Sequence, residues 1–330
     1  IEEAFKVLST LVGTADVKRK QDKQYREDSK FARYSGGRLK EALSKQTPPD
    51  EGTFYVAPTI WAQCLYCLGT GSNVLLTGPS GCGKTELVRT LAKQSKLKLE
   101  TFNFGGMTEP RSSLIGTVEY SPEKGTYFSK SRFVQALQTK GTVILLDEIS
   151  RAPRDAFNIL FPLLDGQRSL SLDESDSEQV VDVAEGVTFW ATANEGMEYT
   201  GTSVLDRALR DRFQILDLDF MPSDKEEQVI LERCKVPQNI AKMLAAIGET
   251  QRAQMKKGDD FTTCVSTRSL IAAGNQIAYG VPIGEAIEFC VSALFSAEGD
   301  AHSERTALRT IIAKVVSPAE LNKVVPTEVK

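Results

Sequence analysis

The chain has 330 residues, of which 41% are hydrophobic and 25% are charged, and its formal net charge is −4 at pH 7. This composition is typical of a globular chain, and the length suits about two domains. The lack of net positive charge disfavours nucleic-acid binding as the main function, and no apolar run reaches the roughly 18 residues of a membrane span. Six scattered cysteines and no recognisable signal peptide lead us to expect reduced thiols and a cytoplasmic protein.

The first 50 residues are predicted to be an extension that precedes the folded domains. Residues 1–13 are predicted to form a short amphipathic helix. Residues 16–40 carry nine Lys or Arg against four Asp or Glu, an excess of five positive charges. Such a segment suits a nucleic acid or an acidic partner, but a solvated basic face explains the same charges, and we favour that interpretation.

Residues 51–221 show short apolar runs that alternate with helical patterns. Strands are predicted at 74–77, 99–104, 142–146, 187–193 and 214–219. Helices are predicted at 59–69, 84–95, 130–139, 153–164 and 203–210. The alternation predicts an α/β fold in which helices cover both faces of a mainly parallel central sheet, an αβα sandwich.

Two longer polar segments interrupt this pattern, at residues 105–130 and 166–186. Each contains short runs of alternating polar and apolar residues, at 117–120 in the first and at 169–172 and 180–183 in the second. We therefore predict an inserted β-hairpin in each segment. Insertions of this length in a compact domain are more often functional than idle.

Residues 222–330 are predicted to form a second, all-helical domain, because the strand patterns stop after Pro222. Its helices are predicted at 223–234, 237–255, 266–279, 283–297 and 303–316. Ser223 and Glu226 have the spacing of a capping box, which predicts the start of the first of these helices.

The most informative motif is the run from Gly78 to Thr85, which fits G-x-x-x-x-G-K-[ST] without departure. It lies between the predicted strand 74–77 and the predicted helix 84–95, where backbone N–H groups and the helix N-terminus can cradle a phosphate. Lys84 is predicted to reach the β- and γ-phosphates, and Thr85 to ligate Mg²⁺. The predicted nucleotide-binding residues are Gly78, Pro79, Ser80, Gly81, Cys82, Gly83, Lys84, Thr85 and Glu86.

Polar side chains follow two other predicted strands of the sheet. Asp147 and Glu148 come after the strand 142–146, and only the carboxyl ends of parallel strands reach the ligand crevice. Asp147 is predicted to hold Mg²⁺ through water, and Glu148 to be the base that polarises the attacking water. Asn194 ends the strand 187–193 and is predicted to orient the same water or touch the γ-phosphate, although a turn-forming Asn is a common alternative.

Arginines provide the remaining candidates. Arg207, Arg210 and Arg212 lie on and after the predicted helix 203–210. They form either a solvated basic face or fingers that reach the nucleotide of a neighbouring subunit, a task that suits a permanently charged guanidinium. Arg268 lies at the start of the predicted helix 266–279 and is a candidate for contact with the γ-phosphate.

The order of these motifs resembles an AAA+ ATPase module over roughly residues 51–320. The finer match resembles the MoxR and dynein-related branch, which includes cobalt-chelatase ATPase subunits, gas-vesicle ATPases and the McrB restriction GTPase. The run DEISRAP at residues 147–153 resembles the MoxR-type DEINRAP, with Ser150 in place of Asn. The two predicted hairpins are similar to the hairpins inserted in that branch.

The resemblance implies a ring of subunits, most often a hexamer, that binds ATP and Mg²⁺ between subunits and remodels a protein client or assembly. By position it implies that Arg212 is the first choice for the arginine finger, followed by Arg210, and that Arg268 is the sensor-2 arginine. It also implies that the hairpins handle the client and that a partner with a von Willebrand A domain is a separate chain. Three alternatives stay open, namely a nucleotide-gated binding scaffold, a nucleic-acid translocase, and GTP in place of ATP.

Overall fold

The structure is a computed structural model that describes residues 48, 52, 54–123, 125–173, 179–194, 207–258, 261–299 and 302–325. The predicted helix 1–13, the basic segment 16–40 and the first part of the predicted helix 203–210 lie outside these residues. Within the described ranges, no helix has both the length and the apolar character needed to cross a bilayer.

The strands of the described residues fall close to the predicted positions. They are β1 (Val74–Thr77), β2 (Lys98–Asn103), β3 (Gly116–Ser121), β4 (Gly125–Lys130), β5 (Thr142–Asp147), β6 (Ser169–Ser171), β7 (Val180–Asp182), β8 (Thr188–Thr192) and β9 (Gln214–Asp217). Five of them form one parallel sheet in the order β2-β5-β8-β1-β9. The strands β3 and β4 form one antiparallel pair and β6 and β7 another, which confirms both predicted hairpins.

The helices alternate with the sheet strands and then dominate the second half of the chain. They are α1 (Pro58–Thr70), α2 (Lys84–Gln94), α3 (Pro110–Leu114), α4 (Arg132–Leu137), α5 (Arg154–Leu164), α6 (Arg207–Arg210), α7 (Ser223–Cys234), α8 (Gln238–Lys256), α9 (Thr267–Ala278), α10 (Ile283–Cys290), α11 (Glu304–Val315) and α12 (Pro318–Leu321). The fold is therefore the predicted αβα sandwich of a P-loop nucleoside triphosphatase, followed by an all-helical region.

The sheet is buried on both faces, as expected for parallel strands covered by helices. Alternate residues of β5 show this, because Val143 and Leu145 pack with α1 and α2 while Ile144 and Leu146 pack with α4 and α5. Trp190 on β8 is fully buried in the first of these two cores. Each central strand therefore contributes apolar side chains to a core on either face of the sheet.

Strand order places the carboxyl ends of β5, β8 and β1 side by side. In the register, Leu145 of β5 lies beside Trp190 of β8, and Leu75 of β1 lies beside Ala191 of β8. The segments that follow these three strands therefore leave the sheet at one edge. This edge is where the predicted phosphate loop, the acidic pair and Asn194 meet.

The helical region has a core of its own, which α7 to α11 build from residues such as Ile230, Leu244, Leu270 and Ile311. The capping box predicted for its first helix is wrong. Pro222 is the N-cap of α7 and provides no side-chain cap hydrogen bond, and Ser223 already lies inside the helix. Glu226 is fully buried and binds Arg252 and Thr267 instead.

Two further differences concern short elements. The predicted helix 283–297 ends at Cys290, because Val291 has φ −119° and ψ −61°, and a 3-10 turn at Ser292–Leu294 follows. The helices α3 and α12, of five and four residues, were not predicted. Both begin at a proline, and helices this short carry too little periodicity to be recognised from sequence.

Candidate active site

The phosphate loop joins β1 to α2 and touches the helical region. Gly81 has φ +77°, and a Cβ built on it would lie 2.6 Å from the Cβ of Ser266, the N-cap of α9. Gly83, the N-cap of α2, has φ 103°. Glycine at position 81 therefore serves both the left-handed turn and the close approach of α9, since a side chain there would push the helical region away.

Lys84 is buried at the first position of α2. Its Nζ donates hydrogen bonds to the carbonyl oxygens of Gly78 and Pro79, each at 2.8 Å. Burial lowers the pKa of Lys84, because the ammonium has lost most of its hydration. The two carbonyls are neutral partners, so an anionic phosphate in the loop would be a stronger one.

The candidate Mg²⁺ ligands are already in contact. The Thr85 hydroxyl donates to Oδ1 of Asp147 at 2.9 Å. The Thr192 hydroxyl donates to the same carboxylate oxygen and accepts from the backbone N–H of Glu148, the latter at 3.0 Å. A carboxylate beside a hydroxyl is the oxygen donor set that Mg²⁺ takes in nucleotide sites, so the residues present fit this ion.

Glu148 lies in a strained backbone conformation directly after β5. Its φ is 57°, in the left-handed region that side-chain-bearing residues seldom adopt outside turns and functional sites. Its carboxylate lies over Gly105, such that a Cβ built there would be 2.2 Å from Oε2 of Glu148 and 3.2 Å from Oδ1 of Asn103. Arg151 lies 3.8 Å from the same carboxylate. The Glu148 carboxylate thus lies between the Gly105 backbone and the Arg151 guanidinium.

A cavity of about 400 Å³ brings the predicted residues together. Residues 80–86 line it together with Asp147, Glu148, Asn194 and Arg268. Its volume lies in the range of small-ligand sites, roughly 300–1,000 Å³. Apolar side chains from both halves of the chain complete the wall, namely Phe54, Met221, Val229 and Ile271. The cavity therefore combines cationic side chains and hydroxyl groups, which suit phosphates, with apolar side chains, which suit a nucleobase.

Two other predicted nucleotide-binding residues, Cys82 and Glu86, have roles that the structure makes clear: Cys82 is buried and Glu86 forms ion pairs. Cys82 is buried, and burial raises the pKa of its thiol, which suits a backbone role in the loop. Glu86 lies on the cavity wall, where it forms ion pairs with Arg89 at 3.8 Å and Arg233 at 3.5 Å. Through Arg233 on α7, Glu86 links α2 to the helical region.

Arg212 and Arg210 do not line this cavity in the described part of the chain. The guanidinium of Arg212 forms a bidentate pair with Asp165 at 2.7 and 2.9 Å, and it lies 4.6 Å above the Phe161 ring. It also donates to the carbonyl of Ala208. Arg212 is therefore held at the end of α5 in its own chain, outside its own cavity.

Sequence reasoning missed several residues of the site. Thr192 binds Asp147, Gly105 makes room for Glu148, and Phe54 covers Gly83 at 3.0 Å from its Cβ position. Thr192 could have been found, because it ends a strand beside Asp147 and has a hydroxyl. Gly105 and Phe54 carry no local signal, since their roles depend on contacts across the fold.

Two family models match successive parts of the chain. Residues 73–213 match the AAA domain of the dynein-related subfamily, and residues 226–315 match the CbbQ/NirQ/NorQ C-terminal domain. The putative chaperone BssE of Thauera aromatica is 41% identical over 217 residues, which is 65% of this chain and 72% of BssE. The denitrification regulatory protein NirQ of Stutzerimonas stutzeri is 25% identical over 226 residues, which is 67% of this chain and 78% of NirQ.

A much larger protein and a solved structure also match part of the chain. Midasin of Dictyostelium discoideum is 33% identical over 175 residues, covering 53% of this chain and 3% of midasin. Among solved structures, a point mutant of Thermotoga maritima RuvB aligns with a TM-score of 0.48 and 15% identity, over 85% of this chain and 77% of that one. The sequence matches, together with the phosphate loop and the parallel sheet, establish that the chain belongs to the AAA+ family of P-loop nucleoside triphosphatases, in its MoxR-like, dynein-related branch.

Proposed function

We propose that this chain hydrolyses ATP with Mg²⁺ and, as a ring of subunits, uses the hydrolysis to remodel a protein client. The observation that carries the proposal is the contact between Thr85 and Asp147 at 2.9 Å, beside Lys84 and Glu148 in one cavity. This set joins a phosphate cradle, a metal site and a base. We propose residues 51–221 as the nucleotide-binding domain and residues 222–330 as the helical lid and tail.

Each residue has a distinct role in the proposed reaction. The loop N–H groups from Gly78 to Gly83 bind the phosphates, and Lys84 exchanges its two carbonyl partners for phosphate oxygens. Thr85 and Asp147 would hold Mg²⁺, which would supply positive charge that offsets the charge developing on the phosphates. Glu148 orients the attacking water and accepts its proton, and Asn194 holds the same water.

Arginines complete the site from two directions. Arg268 reaches the cavity from α9 and contacts the γ-phosphate from the lid of the same subunit. Arg212, with Arg210 and then Arg207 as alternatives, reaches the nucleotide of the adjacent subunit in a ring, most often a hexamer. Its location outside its own cavity supports a role at a neighbouring site, and Asp165 would hold the guanidinium in a fixed direction.

A protein client, with a separate von Willebrand A domain partner, is the second part of the proposal. The relative BssE is named as a putative chaperone, which supports action on another protein. The two hairpins support it further, because β3–β4 carries large apolar side chains at the surface, with Val118 57% and Tyr120 74% exposed.

The catalytic part is tested with two variants. Lys84→Ala should abolish tight ATP binding, because the loop loses the cation that meets the β- and γ-phosphates. Glu148→Gln should bind ATP with wild-type affinity and lose turnover, because the amide cannot accept the proton. Isothermal titration with Mg-ATP and a phosphate-release assay separate these results. Retained micromolar ATP affinity in Lys84→Ala would contradict the assignment of the phosphate loop.

The client part is tested by affinity capture from the native host with tagged Glu148→Gln in Mg-ATP. The ATP-bound ring should stay on its client, and a tagged Lys84→Ala sample is the matched control, since it cannot enter the bound state. A protein captured only by Glu148→Gln, in particular one with a von Willebrand A domain, supports remodelling. Capture of nucleic acid alone favours a translocase, and equal capture by both variants contradicts an ATP-driven client cycle.

A further inference from the structure

A buried ion pair lies between α7 and α8 in the helical region. Glu226 is fully buried, and the Arg252 side chain is 9% exposed. The guanidinium donates to both carboxylate oxygens of Glu226, each at 2.9 Å. Such bidentate pairs fix the relative orientation of two side chains as well as their distance.

The same two side chains reach further segments. Arg252 Nε donates to the carbonyl of Val265 at 2.7 Å, and the guanidinium lies 3.9 Å above the ring of Phe220. The Thr267 hydroxyl donates to Oε1 of Glu226 at 2.5 Å. The pair therefore contacts segments beyond its own two helices, and those at Val265 and Phe220 are not helical.

The neighbouring residue Gln251, also fully buried, strengthens one of these contacts. Its side chain donates to the carbonyl of Thr263 at 3.0 Å and accepts from the N–H of Val265 at 2.8 Å. Gln251 and Arg252 together bind three backbone groups within residues 263–265. The non-helical segment that leads into α9 is thus anchored on α8.

Both non-helical segments lead into the nucleotide cavity. Phe220 precedes Met221, which lines the cavity, in the linker between β9 and α7. Val265 and Thr267 flank the N-cap of α9, and Thr267 and Arg268 line the cavity. Arg252 itself does not line it, yet it contacts the linker on one side and the support of Arg268 on the other.

Stability alone does not explain an ion pair at this position. Removing two charges from water is costly, and well-packed apolar residues of similar size are often as stabilising or more so. The other buried residues around this pair are mostly apolar and form a continuous core. The Glu226–Arg252 pair fixes several backbone segments relative to one another. This role, rather than packing, explains why two charges are buried at a cost in free energy.

We propose that Arg252 is a positioning residue for the nucleotide site, which holds Arg268 and the interdomain linker in a fixed relation through Val265, Phe220 and the Glu226–Thr267 contact. The inference rests on the proposed function, because it assigns the means by which the lid distinguishes ATP from ADP. The γ-phosphate would bind Arg268. The segment that precedes Arg268 is bound to Arg252, which also contacts Phe220 in the linker. Lid orientation and γ-phosphate contact are then coupled.

The test replaces the pair by apolar residues of similar size, Glu226→Leu with Arg252→Met, so that no unpaired charge stays buried. Isothermal titration with Mg-ATP and Mg-ADP gives the preference for ATP, and phosphate release gives kcat and KM. We expect the melting temperature to fall only modestly, by the cost of the hydrogen bonds that Val265 and Thr267 lose, and the ATP preference to fall by about tenfold, the size of a typical coupling between sites. Arg309→Met is the matched control, because Arg309 pairs with Glu288 at the surface of the same region.

A cycle with Arg268→Ala separates positioning from general damage. If Arg252 acts through Arg268, the pair replacement should cause no further loss of ATP preference in an Arg268→Ala background. Independent losses that multiply, or a wild-type ATP to ADP ratio in the pair variant, would overturn the proposal. Should the pair variant fail to fold, Arg252→Lys is the substitute, because it keeps the charge opposite Glu226 but not the hydrogen bond to Val265. We expect it to lower the ATP preference as well, by less than tenfold.

The two proposals fail in different ways. A wild-type chain that binds Mg-ATP but never releases phosphate contradicts hydrolysis, while the affinity ratio still reports on Arg252. A wild-type chain that hydrolyses ATP while the pair variant keeps its ATP preference contradicts only the role of Arg252.

Discussion

The position of the Glu148 carboxylate depends on a neighbour that has no side chain. Gly105 follows β2, and a Cβ at that position would lie 2.2 Å from Oε2 of Glu148. Oε2 is the end of a flexible side chain, so an added Cβ at residue 105 would displace the Glu148 carboxylate from its present position. Space at residue 105 is therefore part of the geometry of the proposed base.

We predict that Gly105→Ala lowers kcat by about 10- to 100-fold, since a displacement of about 1 Å at a reacting group has effects of this order. ATP affinity should stay at the wild-type value, because the phosphate loop is not touched. Steady-state phosphate release and ATP titration measure the two quantities.

Gly106→Ala is the matched control, because a Cβ at residue 106 would meet no atom within 4 Å. It should keep wild-type kcat. Equal losses in both variants would show that the loop after β2, rather than the space beside Glu148, determines the effect.

Residues with a fixed spacing in the sequence could be predicted, and residues that act across the fold could not. Motifs at the ends of the buried strands β1 and β5 contain Lys84, Thr85, Asp147 and Glu148, so a motif and a strand pattern suffice to find them. Arg252 lies in an amphipathic helix, 26 residues from its partner Glu226. Nothing in the local pattern separates it from a solvated arginine, because its burial is a tertiary property.

At the scale of elements, the parallel strands were the easiest to predict. Strands such as β1 and β5 are buried on both faces and appear as continuous apolar runs, so their ends lie within about two residues of the predicted ones. The start of α7 was predicted at the right residue but for a wrong reason. The Ser223 and Glu226 spacing matches a capping box, whereas Pro222 begins the helix and Glu226 is drawn into the core by Arg252.

The hairpin β3–β4 presents apolar side chains while its base is anchored. Val118 and Tyr120 lie on one face, two residues apart, and are 57% and 74% exposed. Phe128, which pairs with Val118 across the hairpin, packs against the core of the nucleotide-binding domain. An exposed apolar face on an anchored hairpin is typical of a surface that meets another protein.

We predict that Val118→Ser with Tyr120→Ser keeps the melting temperature and the basal ATP turnover, because neither side chain is buried or near the cavity. When Val118→Ser and Tyr120→Ser are added to Glu148→Gln, the resulting triple variant should no longer capture the client that Glu148→Gln alone captures. Capture from the native host, quantified by mass spectrometry, measures the loss.

Tyr279→Ser, which removes an 87% exposed aromatic ring at the end of α9, is the control for a general effect of surface polarity. Equal client capture by the hairpin variant and this control would rule out the hairpin as the client surface.

At the scale of the whole molecule, the sheet domain and the helical region meet at one cavity. The sheet domain provides the phosphate loop and the acids, and the helical region provides Arg268, Thr267 and Ile271. The Gly81–Ser266 approach and the Glu86–Arg233 pair join the halves at this point. Length and pattern predicted two units, but their contact could not be predicted, because it depends on how two separately folded units pack against each other.

The proposal that the next subunit completes the site makes a prediction about mixed assemblies. Glu148→Gln and Arg212→Ala should each lose about 1000-fold or more in turnover when pure, the effect of removing a base or an arginine finger. In an equal mixture, about a quarter of interfaces join an intact Glu148 to an intact Arg212 in a head-to-tail ring, so turnover should recover to a corresponding fraction. Phosphate release against mixing ratio measures it.

The same mixture assigns the finger among the three arginines. Glu148→Gln is mixed in turn with Arg212→Ala, Arg210→Ala and Arg207→Ala. Turnover should recover only with the variant that lacks the arginine crossing the interface, since the other two arginines act within their own chain or not at all. Arg212 is bound to Asp165 and Phe161 in its own chain, so a purely structural role predicts a lower melting temperature and no recovery on mixing. Recovery with an unchanged melting temperature would instead mean that Asp165 holds Arg212 in the direction of the neighbouring nucleotide.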